Sequence, residues 1–276
     1  MTRSVAVLWR LRRKTIIVQS PSVVLAATAL ALAPLFRLRV ALDAHNEAVR
    51  PFTHDSRAMR WLINALLRRA CLVIVTNDEL AGFVSAAGGR PFVLPDAIPD
   101  PPVQPPPSSP AAVPVVLCVC TYAPDEPVAV FIEAARRLQR SVEFRITGRP
   151  HARALELLAT RPANLKVLGF LSEADYWSEL AHADLVVDLT LKPNCLVCGA
   201  YEAIAVDKSP LLSDDISNRR LFGDAATYIE NTPDSLARAI VENLERGPPG
   251  SMRGFRDRYM NEWRGRLAAL SATLDA

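Results

Sequence analysis

Between Ile98 and Pro114 the chain carries eight prolines, at positions 99, 101, 102, 105, 106, 107, 110 and 114. Proline fixes φ and has no N–H to donate, so this run is neither helix nor central strand and reads as a semi-rigid polyproline spacer. It divides the sequence into a unit at 1–98, a linker at 99–114, a second unit at 115–250 and a terminal helical segment at 251–276.

On both sides of the spacer, short continuous apolar runs alternate with helical segments. The runs Thr15–Gln19, Arg39–Asp43, Cys71–Thr76, Arg90–Leu94, Val115–Thr121, Glu143–Thr147, Leu165–Leu168, Leu185–Leu189 and Pro210–Ser213 have the length and β-branched content of parallel strands covered on both faces. Helical periodicity fills Val128–Arg140, His151–Thr160 and Glu173–His182. The terminal segment Met252–Leu274 places Trp263, Leu267 and Leu270 on one face. This alternation predicts an α/β chain with two Rossmann-like parallel-sheet units, and a ligand cleft at the carboxyl ends of the strands.

Half of the 276 residues are hydrophobic and 22% are charged, a globular composition. A net charge of +3 without an aromatic-interleaved basic run gives no argument for nucleic acid as a partner. Five cysteines at irregular spacing, with no convincing signal peptide, favour a reducing cytoplasm. The basic start "MTRSVAVLWRLRRK" and the apolar stretch after it mimic a signal-anchor. However, Gln19, Ser20, Pro21 and Pro34 interrupt that stretch and leave a helix of roughly 18 Å, against a hydrocarbon core of about 30 Å. The reading is a buried strand, a turn and a core helix. Arg10, Arg12 and Arg13 beside Leu8, Trp9 and Leu11 suit either an anionic membrane surface or a solvated helix face.

Polar residues that directly follow strands are the candidates for chemistry. His45, after Val40–Leu42, either faces the cleft or caps the next helix. Asn77 or Asp78 reads as a cap for the helix holding Leu80 and Phe83. Arg149, after a strand and a glycine, is either an anion contact, since a guanidinium matches phosphate oxygens with two parallel hydrogen bonds, or a surface arginine.

The stretch "NCLVCGAYEAIAVDKSPLLSD" admits three readings. Cys195 and Cys198 with Cys118 and Cys120 invite zinc, but "VVLCVC" is an apolar strand in which cysteine serves as a small buried hydrophobe, and no zinc-ribbon spacing appears. A thioredoxin-type pair belongs in a shorter chain. The third reading fits better. Gly199 permits close backbone approach, the N–H groups of Gly199, Ala200 and Tyr201 open a helix suited to phosphate oxygens, and Glu202 can accept hydrogen bonds from a ribose diol. The cysteines are then packing.

Three runs in the second half, "ITGRP", "NLKVLGFLSEADYWSELAHADLVVDLT" and "CGAYEAIAVDKSPLLSD", resemble the donor-binding domain of a retaining GT-B glycosyltransferase of the family 4 type. In the first half, "IIVQSPS", "VALDAHN" and "IVTNDELAGFVSAAGGRPFVLPDAIP" resemble the later part of its acceptor domain. Coverage runs from about residue 10 to about 245, and the family's first strand and glycine-rich loop have no counterpart. The resemblance implies transfer of a sugar from a nucleotide-sugar donor to a glycan or lipid-linked acceptor in envelope or exopolysaccharide synthesis, without a metal cofactor. The cysteine usage and the basic start together lead to the expectation of a cytoplasmic protein, with a membrane-surface contact at the inner face open beside the solvated-face reading. Glu202 falls on the second glutamate of the family's E-x7-E motif, which binds the donor ribose, and Asn194 falls on the first. Gly169, Phe170 and Leu171 match the segment lining the base, Arg149 and the Gly199–Tyr201 amides match the diphosphate contacts, and His45 matches a contact to the donor sugar. The neutral Asn194 and a "TYAPDEP" loop without lysine depart from the pattern. They leave a second expectation, a catalytically inactive homologue that binds a nucleotide sugar or a partner protein.

Overall fold

A computed structural model describes residues 7–20, 22–49, 56–101, 113–246 and 251–275; most of the proline-rich spacer lies outside them. The chain forms two compact units, residues 1–96 with 261–276 and residues 97–260.

In the first unit, strands β1 (Thr15–Ser20), β2 (Arg39–Ala44), β3 (Leu72–Val75) and β4 (Pro91–Val93) form a sheet in that order, every pair parallel. Parallel neighbours require crossovers, supplied by helices Val23–Phe36, Arg57–Arg69 and Asp78–Ala86. Each crossover helix starts at a side-chain cap: Ser22 Oγ accepts from Leu25 N at 3.2 Å, Ser56 Oγ from Met59 N at 3.1 Å and Asn77 Oδ1 from Leu80 N at 2.9 Å. The first helix does not stop at Pro34 as the sequence suggests. It runs to Phe36, because the proline sits in the last turn and Arg37, in the left-handed region at φ 52°, closes that turn with its N–H on Ala33 and Pro34 carbonyls. One face of the sheet is covered by these helices through Leu30, Leu42, Leu67 and Val73. The other face is covered by the last helix, Arg253–Asp275, whose Leu270 packs with Ala41, Leu72 and Ile74. Trp263 Nε1 donates to Pro95 O at 2.8 Å on the same side. Leu267, expected on that face, is 38% exposed. The terminal helix is therefore not a separate piece: its start counts with the second unit and its remainder with the first.

The second unit holds strands β5 (Val115–Cys118), β6 (Glu143–Thr147), β7 (Leu165–Gly169), β8 (Leu185–Asp188), β9 (Pro210–Ser213) and β10 (Thr227–Ile229) in the order β10-β9-β8-β5-β6-β7, again all parallel. Strands β5, β8 and β9 are buried along their whole length, as continuous apolar runs require. Helix Val128–Arg137 ends three residues earlier than its periodicity suggests. The Asn164 amide takes the carbonyls of Ala135 and Val142 at 3.0 Å and so stands in for the next turn. The strand order runs from β5 through β6 to β7 in one direction and from β8 through β9 to β10 in the other. The loops leaving β5 and β8 thus diverge around the switch point where open parallel sheets bind ligands.

Candidate functional site

The loop leaving β5 is folded around a carboxylate. Glu126 accepts from Thr121 N at 2.9 Å, Thr121 Oγ1 at 2.9 Å, Ala123 N at 2.9 Å and the Cys120 thiol at 3.1 Å. Burial, reinforced by this carboxylate, pushes the Cys120 thiol far up and leaves it protonated. The adjacent Asp125 reaches across to the loop leaving β8. Its Oδ2 accepts from Thr190 Oγ1 at 2.9 Å, its Oδ1 lies 3.4 Å from Lys192 Nζ, and its carbonyl accepts from Leu191 N at 2.7 Å.

The loop leaving β6 is pinned to the first through Cys120 N, which donates to Thr147 Oγ1 at 3.0 Å. Arg149 follows; its side chain is exposed and makes no ion pair with a described residue. His151 caps helix Ala152–Leu158 by accepting from Ala154 N at 3.3 Å through Nδ1, so Nε2 carries the proton and donates to Tyr122 O at 3.1 Å. At the end of β7, Gly169 O accepts from Gly148 N at 2.9 Å, Leu171 is half-buried, and the Phe170 ring is 79% exposed, a free flat surface for stacking.

Asp188 ends β8 and is buried, with Oδ2 accepting from Gly199 N at 2.9 Å at the start of helix Cys198–Ala205. Burial pushes its carboxyl far above the usual range; the Gly199 N–H opposes this, and Glu126, Glu202 and Asp125 reinforce it. One turn into that helix, Glu202 Oε2 accepts a short hydrogen bond from Tyr176 Oη, which crosses from helix Glu173–His182. Burial raises Glu202 and the Tyr176 bond draws it back. Ala200 is wholly buried, and Tyr201 packs edge-on to Phe222 at 5.2 Å with the ring 2% exposed. Of the amides expected to face phosphate, Gly199 N is on Asp188 and Ala200 N lies 3.3 Å from Val197 O. Asn194, at φ 57°, donates its N–H to Asp215 Oδ2 at 2.9 Å.

A carboxyl whose ionisation is pushed up by burial works against stability as pH rises. The unfolded chain ionises Asp188 near 3.8 while burial moves the folded chain's ionisation to higher pH, so stability is full below the unfolded value. It is lost as pH climbs towards the raised folded value, by up to about 1.4 kcal/mol per pH unit. Asp188→Asn keeps an acceptor for Gly199 and removes the charge. The variant is expected to melt above the wild type at pH 8 and to flatten the pH dependence of the melting temperature. Equal slopes would place the charge elsewhere.

In the first unit, His45 follows β2, with Nε2 3.8 Å from Asp43 Oδ1, and its carbonyl accepts from Ala48 N at 2.9 Å. Burial pushes the nearby Asp96 up; His45 opposes the shift and Asp43 adds to it. The packing reading of the cysteines holds for Cys118 and Cys120, which are buried. It does not hold for Cys198, which is exposed on the first turn of its helix, and Cys195 is intermediate. Among the described residues no group of three or more His, Cys, Asp or Glu side chains is arranged to hold a metal ion.

Neither family models nor curated proteins give a match to this sequence. Solved structures do. HepE of Anabaena in complex with UDP superposes with a TM-score of 0.79 over 99% of this chain and 81% of that one, at 16% identity. Sucrose-phosphate synthase of Thermosynechococcus elongatus gives a TM-score of 0.68 over 94% and 71% of the two chains, also at 16% identity. The α,α-trehalose 6-phosphate synthase of Burkholderia multivorans gives 0.64 over 99% and 75%, at 15% identity. With its two parallel sheets of four and six strands, the chain has the two-domain GT-B fold.

Sequence reading singled out Glu202, Arg149 and Phe170 but not the carboxylates around them, Asp125, Glu126 and Asp188, nor Tyr176 and Lys192. One signal was present: an aspartate closing the otherwise apolar strand "LVVD" must find a donor when buried.

Proposed function

We propose that this chain is a nucleotide-sugar-dependent glycosyltransferase whose second unit takes the donor. The observation that carries the reading is Glu202. It stands one turn into the helix after β8, beside the switch point, and Tyr176 fixes one carboxylate oxygen while the other remains for a ribose diol. Support comes from the exposed Arg149, which makes no ion pair with a described residue, as a phosphate contact and from the exposed Phe170 as a base platform. HepE, of the same fold, has also been solved with UDP-glucose. Burial pushes the Asp188 carboxyl up, towards the neutral form that repels an incoming diphosphate less. The finer reading is a retaining, metal-independent hexosyl transfer to a glycan or lipid-linked acceptor in envelope or exopolysaccharide synthesis, with Asn194 and His45 contacting the sugar. It places the protein on the cytoplasmic side, peripheral to the inner face of the membrane. Asn194 in place of a glutamate, together with the carboxylate-lined loops, favours a second reading, a catalytically silent binder of the same nucleotide sugar.

Calorimetric titration with UDP and GDP tests both. One nucleotide is expected to bind, and Glu202→Ala to weaken it roughly tenfold to a hundredfold, the scale of a lost charged hydrogen bond, with the melting temperature unchanged. Binding without donor hydrolysis or transfer would select the silent binder. Failure of both nucleotides to bind would remove the donor reading.

A further inference from the structure

A second site lies at the other end of the first sheet. Arg13 precedes β1 and Arg37 precedes β2, and the two strands are parallel with Thr15 beside Arg39. Both arginines therefore mark the amino ends of their strands, opposite the end that carries Asp43 and His45. Together with Arg10 and Arg12 they line an open cleft of about 610 Å³ whose remaining walls are Trp9, Leu35 and Phe36.

Nothing in the described residues neutralises this cleft. None of the four arginines forms an ion pair with a described residue, and no acidic side chain lines the walls. The Arg12 guanidinium sits 5.3 Å from the centroid of the Trp9 ring, which in turn stands edge-on to Phe36 at 5.7 Å. The arrangement is held by backbone. Arg13 N donates to Phe36 O at 3.0 Å, and Arg13 and Arg37 both occupy the left-handed region, at φ 63° and 52°. That conformation is costly for a residue with a side chain. Around the charges, two large apolar side chains stand in solvent: Trp9 is 57% exposed and Leu35 72%.

Guanidinium groups without an ion-pair partner among the described residues, interleaved with projecting indole and aliphatic side chains, match the chemistry of a bilayer interface, where phosphates take the charge, tryptophan sits at headgroup depth and aliphatic groups enter the acyl boundary. A soluble anion would satisfy the arginines but leave Trp9 and Leu35 in water. We infer that the cleft at the amino end of the first sheet docks the protein on an anionic phospholipid surface. The inference does not depend on the donor reading, since none of its residues belongs to the second unit. It replaces a general peripheral contact with a defined surface in which Arg37 and Leu35, distant in sequence from the basic start, join Arg10, Arg12 and Arg13.

The test is co-sedimentation of the full chain with vesicles of phosphatidylcholine alone and of phosphatidylcholine mixed with an equal part of phosphatidylglycerol. Binding is expected only to the anionic vesicles and is expected to weaken as salt is raised. Each arginine near such a surface contributes roughly fivefold in partition, so Arg10→Gln, Arg12→Gln and Arg37→Gln together should reduce it roughly a hundredfold. Trp9→Ala with Leu35→Ser should reduce it at least severalfold, because these groups supply the apolar part. Both variants should keep the wild-type melting temperature and nucleotide titration, which separates lost docking from lost folding. No sedimentation of the wild type with anionic vesicles overturns the inference, as does undiminished binding by the arginine variant. Loss in the arginine variant but none in the Trp9 and Leu35 variant also overturns it, in favour of a soluble polyanion.

Discussion

Gly148→Ala is expected to unfold the second unit. Gly148 sits at φ +88°, a region costly to any residue with a side chain, and an added Cβ would lie 2.1 Å from Cys120 O, 3.0 Å from Cys120 C and 3.3 Å from Thr121 Cα. All three atoms are backbone, and none can rotate away. Relief requires parting the loops that leave β5 and β6, which breaks the bond from Cys120 N to Thr147 Oγ1 and the one from Gly148 N to Gly169 O. Strain at the left-handed position costs about 1–3 kcal/mol, and the collision with lost hydrogen bonds brings the total to about 4 kcal/mol or more, within the exceptional tail for single substitutions. Melting followed by circular dichroism, with nucleotide titration alongside, should show the second unit lost. A variant that melts with the wild type would mean that the two loops can separate freely.

Gly199→Ala is the second large effect. There the Cβ would stand 2.5 Å from Asp188 Oδ2 and 3.0 Å from Val119 Cβ, so helix Cys198–Ala205 could not keep its seat on β5 and β8. Overpacking of this kind costs typically 1–3 kcal/mol, with about 1–3 kcal/mol more if Asp188 loses the Gly199 N–H while still buried. Glu202 rides on the same helix, so nucleotide binding should fall with stability. Adding Asp188→Ala removes the nearer collision and leaves the one with Val119. The double variant should therefore be less destabilised than the sum of the two single variants, a non-additivity measurable by denaturant unfolding. Strict additivity would show that the helix has already moved off the strand.

Most of the fold could be read from the sequence because parallel strands buried on both faces write themselves as unbroken apolar runs. "LVIV", "VVLC" and "LVVD" are such runs. β10 is not: Thr227–Ile229 is three residues long, with Thr227 and Tyr228 only partly buried, and a run that short has no periodicity to read. Helix Pro233–Arg246 is likewise not among the elements the sequence predicts, although its start is capped by Thr232, which accepts from Ser235 N at 3.2 Å. The site divides along a similar line. Glu202, Arg149 and Phe170 belong to local runs that resemble a known pattern, so sequence alone could point to them. Glu126 and Asp188 take their meaning from amides: Glu126 from those of its own loop, and Asp188 from an amide eleven residues away. The first looked like one more acid in "TYAPDEP" and the second like the last residue of a strand. The basic cleft shows the same limit, since Arg37 joins Arg13 only once two strands lie side by side.

The division of the last helix bears on how the chain is made. Residues 261–276 count with the first unit, and Leu270 and Leu274 cover the face of its sheet that Ala41, Leu72 and Ile74 present. The ribosome releases the strands of the first unit first, yet the residues that complete their cover are synthesised only after the whole second unit. The second unit is closer to being self-sufficient, because its six strands and the helices between them have all emerged before residue 261 appears. A nascent chain stalled at the proline-rich segment would thus hold an open-sided sheet, and the natural sequence of events is that the later-made unit closes before the earlier one.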